Sequence, residues 1–319
     1  MDQTFFLAAN SGQGFFSLYD GFPGDGVFLH VVKGGPGTGK SGFLRRIRKA
    51  AQERGLDTEA ILCSGDPDSL DGLCVPALRQ AWVDGTAPHV TEPKIFGVTG
   101  DYVNLGRFCR LPLAPEAQTR ARELNAAYKA HYQAAYRMLA AAAQLAEGEE
   151  RPDPMLAREA EAQLREVLST FPEQENAGCV RMRFLSAVSC RGVLHLERTV
   201  NLLCKRIYYL RGHEAMAQAA ALTAKRCGEL IVCPDPLRPA QTEAVLAPEL
   251  AIAFLTAPAG QPVPTGERAL SRAALARAVD LLREAKALHD ALEAVYRPYM
   301  DFEALTAYTQ SYIEELFRS

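Results

Sequence analysis

Val27-Phe28-Leu29-His30-Val31-Val32-Lys33-Gly34-Gly35-Pro36-Gly37-Thr38-Gly39-Lys40-Ser41 is the stretch on which the reading of this chain turns. Its first six residues make a nearly continuous apolar run of strand length, the pattern of a parallel-sheet strand covered on both faces. GGPGTGKS follows from Gly34 to Ser41. Then comes a helical pattern with Phe43, Leu44 and Ile47 on one face, stopping at Gly55, a natural residue just past a helix end. Strand, glycine loop and helix in that order form the context that a GxxxxGK(S/T) match requires.

Phosphate chemistry explains the residue types. Glycines at 34, 37 and 39 let the backbone wrap an anion without Cβ interference, so that successive N–H groups point inward. The helix opening near Lys40 adds the positive end of its dipole. Lys40 would reach the β- and γ-phosphates, and the Ser41 hydroxyl would ligate Mg2+. Gly34, Gly35, Pro36, Gly37, Thr38 and Gly39, with Lys40 and Ser41, are therefore the expected phosphate site.

A carboxylate at the end of a neighbouring strand should complete the metal site. Ala81-Trp82-Val83-Asp84-Gly85 offers one: a short apolar run ending in an acid would set Asp84 at the carboxyl edge of the sheet. The competing reading is a plain Asp-Gly turn. Thr58–Cys63 reads as another strand, and Ser64-Gly65-Asp66-Pro67-Asp68-Ser69-Leu70-Asp71-Gly72 as the loop after it. Asp66, Asp68 and Asp71 thus stand where a catalytic base would sit, although Asp-Pro is also a common turn former.

Composition narrows the field without naming a function. The 319 residues are 48% hydrophobic and 23% charged, too apolar for disorder and long enough for two domains. With 35 basic against 38 acidic residues, no whole-molecule charge draws the chain to nucleic acid or anionic membrane. Eight cysteines show no CxxC pair and no zinc-ligand spacing. The start lacks the pattern of a signal peptide, and no run of about 18 apolar residues reads as a membrane span. The expectation is a cytoplasmic protein with reduced thiols.

Self-comparison gives a second clue. Phe6-Leu7-Ala8-Ala9 resembles Phe184-Leu185-Ser186-Ala187, and Gly14-Phe15 resembles Gly192-Val193, at one constant offset. The same offset carries Val32-Lys33-Gly34 onto Leu210-Arg211-Gly212. A slightly shorter one sets Ile61-Leu62-Cys63 against Ile231-Val232-Cys233, and Thr86-Ala87-Pro88 against Thr256-Ala257-Pro258. In these registers Gly37, Gly39, Lys40 and Ser41 fall on Ala215, Ala217, Gln218 and Ala219, and Asp84 falls on Phe254. Losing one preorganised charge-stabilising donor commonly costs about 3–4 kcal/mol of transition-state stabilisation, so the second half is expected to be catalytically silent.

Each half also ends in helical patterns. Pro115 to about Ala146 and Met155–Ser169, separated by GEERPDP, read as one hairpin; Glu267–Tyr296 and Asp301–Arg318 read as another. The apolar stripe Leu281, Leu282, Ala285, Leu288, Leu292 and Val295 would pack within the hairpins or across the halves. The expected architecture is α/β, a P-loop NTPase parallel sheet with flanking helices, duplicated. Its expected parts are an active core at 1–112, a hairpin at 113–174, a degenerate core at 175–262 and a hairpin at 263–319.

The segments Lys33–Ser41, Cys63–Gly72 and Asp84-Gly85-Thr86-Ala87-Pro88-His89 resemble a family of bacterial P-loop ATPases built as two fused, nucleotide-kinase-like copies. Glu92-Pro93-Lys94, Asn104-Leu105-Gly106 and Met300-Asp301-Phe302 add to the resemblance, which covers the first half strongly and the second weakly. It implies ATP binding with Lys40 and Ser41 at the phosphates. It supplies no acceptor, and the missing second loop departs from the family. The same loop spelling occurs in AAA-type ATPases and superfamily 1 helicases, but no further helicase motif is present.

Three functions are expected in turn. The first is a Mg-ATP-dependent NTPase acting through Lys40, Ser41 and Asp84, with Asp66 or Asp68 as base. The second is a small-molecule or nucleotide kinase whose acceptor sits at the Asp66–Asp71 loop. The third is a nucleotide-dependent switch that binds a protein partner. His89 reads as a γ-phosphate sensor, a base or an ordinary loop histidine. Lys94, Arg107 and Arg110 read as transition-state cations or solvated charge. Phe15, Phe16 and Tyr19 read as an adenine stack or as core.

Overall fold

The computed structural model describes residues 2–88, 90–147, 154–176, 178–256 and 267–318. The chain is α/β, built on two mixed sheets. The first half runs β1 (Asp2–Phe6), β2 (Ala8–Ser11), β3 (Gly14–Ser17), β4 (Phe28–Lys33), α1 (Lys40–Glu53), β5 (Thr58–Leu62), β6 (Leu70–Val75), β7 (Gln80–Asp84) and β8 (Gly100–Asn104). Then follow the helices α2 (Pro115–Glu147) and α3 (Pro154–Ser169). The second half runs β9 (Cys179–Met182), β10 (Ser186–Ser189), β11 (Gly192–His195), α4 (Glu197–Leu203), β12 (Arg206–Leu210), α5 (His213–Thr223), β13 (Glu229–Pro234), β14 (Thr242–Ala247) and β15 (Ile252–Thr256). It closes with α6 (Glu267–Tyr296) and α7 (Phe302–Leu316).

The first sheet has the order β1-β5-β6-β7-β4-β8, and it is not wholly parallel: β6 runs against both neighbours. Chain length is the reason. Residues 63–69 and 76–79 are all that join β5 to β6 and β6 to β7, too few for the crossover that parallel strands need. With β6 reversed, the carboxyl ends of β5, β7, β4 and β8 and the amino end of β6 share one edge. The loop 34–39 and the turn 63–69 open on that edge.

Taken from its far edge, the second sheet has the order β9-β13-β14-β15-β12, with β14 reversed, matching β1-β5-β6-β7-β4 strand for strand. Its ladders correct the sequence register. Thr4 pairs with Ala60 as Met182 pairs with Val232, which puts Ile61 opposite Cys233 in the comparison, not Ile231. Val32 pairs with Asp84 as Leu210 pairs with Thr256, so Thr256 takes the place given to Phe254. The helices agree: Phe43, Leu44, Ile47 and Ala51 are buried on α1 as Ala215, Met216, Ala219 and Thr223 are on α5. Ala215, Ala217, Gln218 and Ala219 therefore match the body of α1, not the glycine loop. Residues 34–39 join β4 to α1, whereas Arg211 and Gly212 alone join β12 to α5.

The two halves share one core. Phe5, Val31, Ile61 and Val83 of the first sheet bury against Ile231, Leu246 and Ala253 of the second. Phe6 and Phe184, both fully buried, exchange backbone hydrogen bonds of 3.0 and 2.8 Å. A buried ion triad adds a polar clamp. Glu59 on β5 accepts from Arg183 Nε at 2.5 Å and Arg181 Nη2 at 2.8 Å, and Arg181 also reaches Glu229 at 2.8 Å.

The helices do not form the two expected hairpins. Ala135 and Leu139 of α2 pack with Ala278, Leu281 and Leu282 of α6, while Ala121 and Leu124 meet Leu292. Low-numbered residues of α2 thus meet high-numbered residues of α6, and the pair is antiparallel across the halves. Ala160, Leu164 and Leu168 of α3 bury against Ala215, Met216 and Ala219 of α5. Leu305 of α7 buries with Phe43, Leu44 and Ile47 of α1. Each closing helix therefore covers the other half's sheet, because α1 and α5 are the surfaces still lacking an apolar cover.

A single hydrogen bond helps hold α7: Trp82 Nε1, on a fully buried indole, donates to Tyr312 Oη at 2.9 Å. Tyr312→Phe strands that donor, which should cost about 1–3 kcal/mol. Urea unfolding is expected to show a lower midpoint with an unchanged slope.

Candidate functional site

β4 delivers the chain to the loop, and backbone geometry dictates its glycines. Gly37 has φ +71° and Gly39 φ +85°, the left-handed region that side chains avoid. Gly39 is the residue before α1, so Lys40 and Ser41 form its first turn. Thr38, almost fully buried, donates from Oγ1 to Gly35 O at 2.9 Å and pins the loop from inside.

Lys40 folds back over this loop. Its Nζ donates to Gly34 O at 3.0 Å and Gly35 O at 2.9 Å, and lies 3.6 Å from Asp84 Oδ2. Only 12% of the Lys40 side chain and 13% of the Asp84 side chain are exposed. Asp84 is the last residue of β7 and pairs in register with Val32, which puts its carboxylate beside the loop. Its Oδ1 accepts from Thr86 N at 2.9 Å and Thr86 Oγ1 at 2.5 Å, so the turn it makes and the lysine it faces coexist. Burial lifts the Asp84 carboxyl above the ordinary carboxylate range; Lys40 and the Thr86 hydrogen bonds oppose this, and the charge of Asp71 adds to it. Ser41 Oγ accepts from Leu70 N at 3.0 Å, tying α1 to the start of β6.

The three acids of the 64–72 segment separate. Asp66 organises the turn: Oδ1 accepts from Asp68 N at 3.3 Å and Oδ2 from Ser69 Oγ at 3.1 Å, while Lys286 Nζ of α6 lies 3.5 Å from Oδ2. Asp68 is exposed, with its carboxylate paired to Arg191 and its carbonyl taking Arg45. Asp71 lies inside β6 and is buried. Its charge is felt at Asp84, at Tyr19 and at Cys63, whose thiol is pushed up by burial first and Asp71 second.

Other candidates go elsewhere. Lys94 is exposed and 3.9 Å from Asp25, Arg107 stacks on Phe108 and Tyr308, and Arg110 donates to Pro298 O at 2.9 Å. Phe16 meets Phe184 edge-on and Tyr19 is core, so neither is free to stack a base. His89 lies outside the described residues.

The loop also has a roof, built from α2 and α6, that no motif in the sequence marks. Tyr128 and Tyr132 of α2 meet edge-to-face with ring centroids 4.9 Å apart, and the His289 ring of α6 lies 5.4 Å from the Tyr128 ring. Burial pushes the Tyr128 hydroxyl up to about 12. Glu293, one turn beyond His289, accepts from Gly37 N at 3.3 Å. Lys286, His289 and Glu293 recur at helical spacing beside the apolar stripe, which was the available signal; what they face depends on the α2–α6 pairing. Among the described residues, His289, Asp290 and Glu293 are the group whose side chains converge as metal ligands would, although Asp290 is held by Lys286 at 2.5 Å.

No described helix is long and apolar enough to cross a membrane. Comparison of the chain with protein-family models, curated proteins and solved structures finds no match.

Proposed function

We propose that the chain is a Mg-ATP-binding P-loop NTPase with one site, in its first half, and that the second half is a copy that has lost its loop and closes over that site. The observation that carries the reading is the convergence of Lys40 and Asp84 on the Gly34–Gly39 loop, which runs into the first turn of α1. The shared strand order and matched burial of α1 and α5 support the duplication.

The donor set suits the ligands. Inward N–H groups without Cβ atoms cradle phosphate, and a hydroxyl and a carboxylate are the hard oxygen donors that Mg2+ prefers. Ser41 and Asp84 would hold the ion, which when bound neutralises charge between the β- and γ-phosphates. Lys40 trades its carbonyl partners Gly34 O and Gly35 O for phosphate oxygens. Burial raises the Asp84 carboxyl and Lys40 opposes that rise; a bound divalent cation would favour its carboxylate form further. For the proton of a water or an acceptor hydroxyl, Asp71, whose charge reaches Asp84, is the better candidate than Asp68, whose carboxylate is exposed and turned to Arg191. Asp66 remains the acid nearest the α6 roof.

The roof on the loop favours a second reading, in which nucleotide repositions α6 and α2 toward a protein partner. Asp84→Asn tests the metal role. Nucleotide affinity of the wild type is expected to rise on adding Mg2+, and that gain should vanish in the variant. An equal Mg2+ gain in both would remove Asp84 from the site.

A further inference from the structure

The end of α6 and the start of α7 bear on the glycine loop at three points. Glu293 Oε1 accepts from Gly37 N at 3.3 Å. A Cβ on Gly37 would stand 3.1 Å from Glu293 O and 3.3 Å from its Cα, so helix backbone lies directly against the loop. A Cβ on Gly39 would meet Leu305 at 2.8 Å, and one on Gly35 would meet Tyr296 at 3.9 Å. Glycine at 37 is thus demanded twice, by its φ and by α6.

The Gly37 N–H is one of the donors that a loop of this sequence offers to a nucleotide's phosphates. In this structure a carboxylate takes it. Carboxylate and phosphate are both anionic acceptors, and the Glu293 side chain is delivered by the same chain at high effective concentration. Among the described residues His289 Nδ1 lies 3.9 Å from Oε1, and 44% of the Glu293 side chain is exposed.

Resting on the nucleotide reading, we propose that Glu293 is an internal stand-in for phosphate, and that a nucleotide enters the loop by displacing it and lifting the end of α6. Because α6 shares its apolar stripe with α2, that displacement is passed along the α2–α6 pair. The site is then gated by the second half of the chain. The observed affinity is the intrinsic affinity scaled by the fraction of molecules with Glu293 withdrawn.

Glu293→Gln tests this while keeping shape and a neutral acceptor, since charge-assisted hydrogen bonds are roughly twice as strong as neutral ones. Asp290→Asn is the control: it removes an equal charge one turn away without touching the loop. Affinity is read by competition of Mg-ATP against a fluorescent ATP analogue, with Lys40→Ala as the blank. Glu293→Gln should bind Mg-ATP about tenfold more tightly, and Asp290→Asn should change affinity less than twofold. Amide exchange over residues 34–41 in nucleotide-free protein should be faster in Glu293→Gln than in wild type. Lys40-dependent binding that is unchanged or weaker in Glu293→Gln overturns the proposal and leaves the nucleotide reading standing. An equal gain in Asp290→Asn also overturns it, because removal of one negative charge beside the loop, without the contact to Gly37, would then suffice. Binding no better than Lys40→Ala in every protein overturns the nucleotide reading and the proposal together.

Discussion

Glu59→Gln is expected to destabilise the protein by about 3–5 kcal/mol, the cost of breaking a buried ion pair from one side, on the order of 10 °C in Tm. Glu59 is 8% exposed and Arg183 1%, so the guanidinium left behind has no route to water. Burial alone would raise the Glu59 carboxyl, but Arg183 and then Arg181 outweigh it and hold the group below the usual carboxylate range. A depressed folded value gives stability that is present above the unfolded carboxylate pKa, about 4.3, and is lost as pH falls through the folded value. The gap in Tm between wild type and variant should therefore be full at pH 7 and shrink in acid. Adding Arg183→Met to Glu59→Gln should recover part of the loss, because the orphaned charge is removed with its partner. Since the two sheets share one apolar core and Phe6 and Phe184 pair across them, scanning calorimetry should show the two halves melting as one transition in every variant.

Lys40→Ala should lower Mg-ATP-dependent turnover by about a thousandfold, the effect of removing one preorganised charge-stabilising donor. Asp84→Ala should fall similarly. The double variant should lose much less than the product of the two, because in the proposed site Lys40 and the ion held by Asp84 would stabilise the same phosphate charge. Phosphate release, and the mass of any phosphorylated product from a pooled metabolite extract, are the measurements. Release without an acceptor identifies hydrolysis; turnover that waits for a hydroxyl-bearing metabolite identifies the kinase alternative. Turnover unchanged in Lys40→Ala would place the chemistry elsewhere.

The loop and its flanking strand and helix were legible in sequence because glycine, lysine and an apolar run carry local information. Asp84 was legible for the same reason, as an acid ending a short apolar run. β6 was not: Asp71 and Gly72 interrupt a six-residue strand, and both residue types argue against strands locally. The register between the halves slipped by two residues because side chains repeat every two along a strand, so Ile231 and Cys233 lie on the same face. A separate effect set the glycine loop against Ala215–Ala219: the offset of the first strands was carried past Gly34, although β12 and α5 are joined by only two residues. The hairpins failed for a different reason. An apolar stripe states that a helix is covered and leaves open by what, and covering α1 and α5 required α7 and α3 to cross between halves. The Glu293 contact follows from that crossing and has no local signature.

Calorimetric titration with Mg-ATP tests most directly whether this two-part chain holds a single nucleotide site. The wild type should bind one Mg-ATP per chain, and Lys40→Ala should bind none under the same conditions. Two equivalents per chain, no binding by wild type, or full binding retained in Lys40→Ala would contradict it.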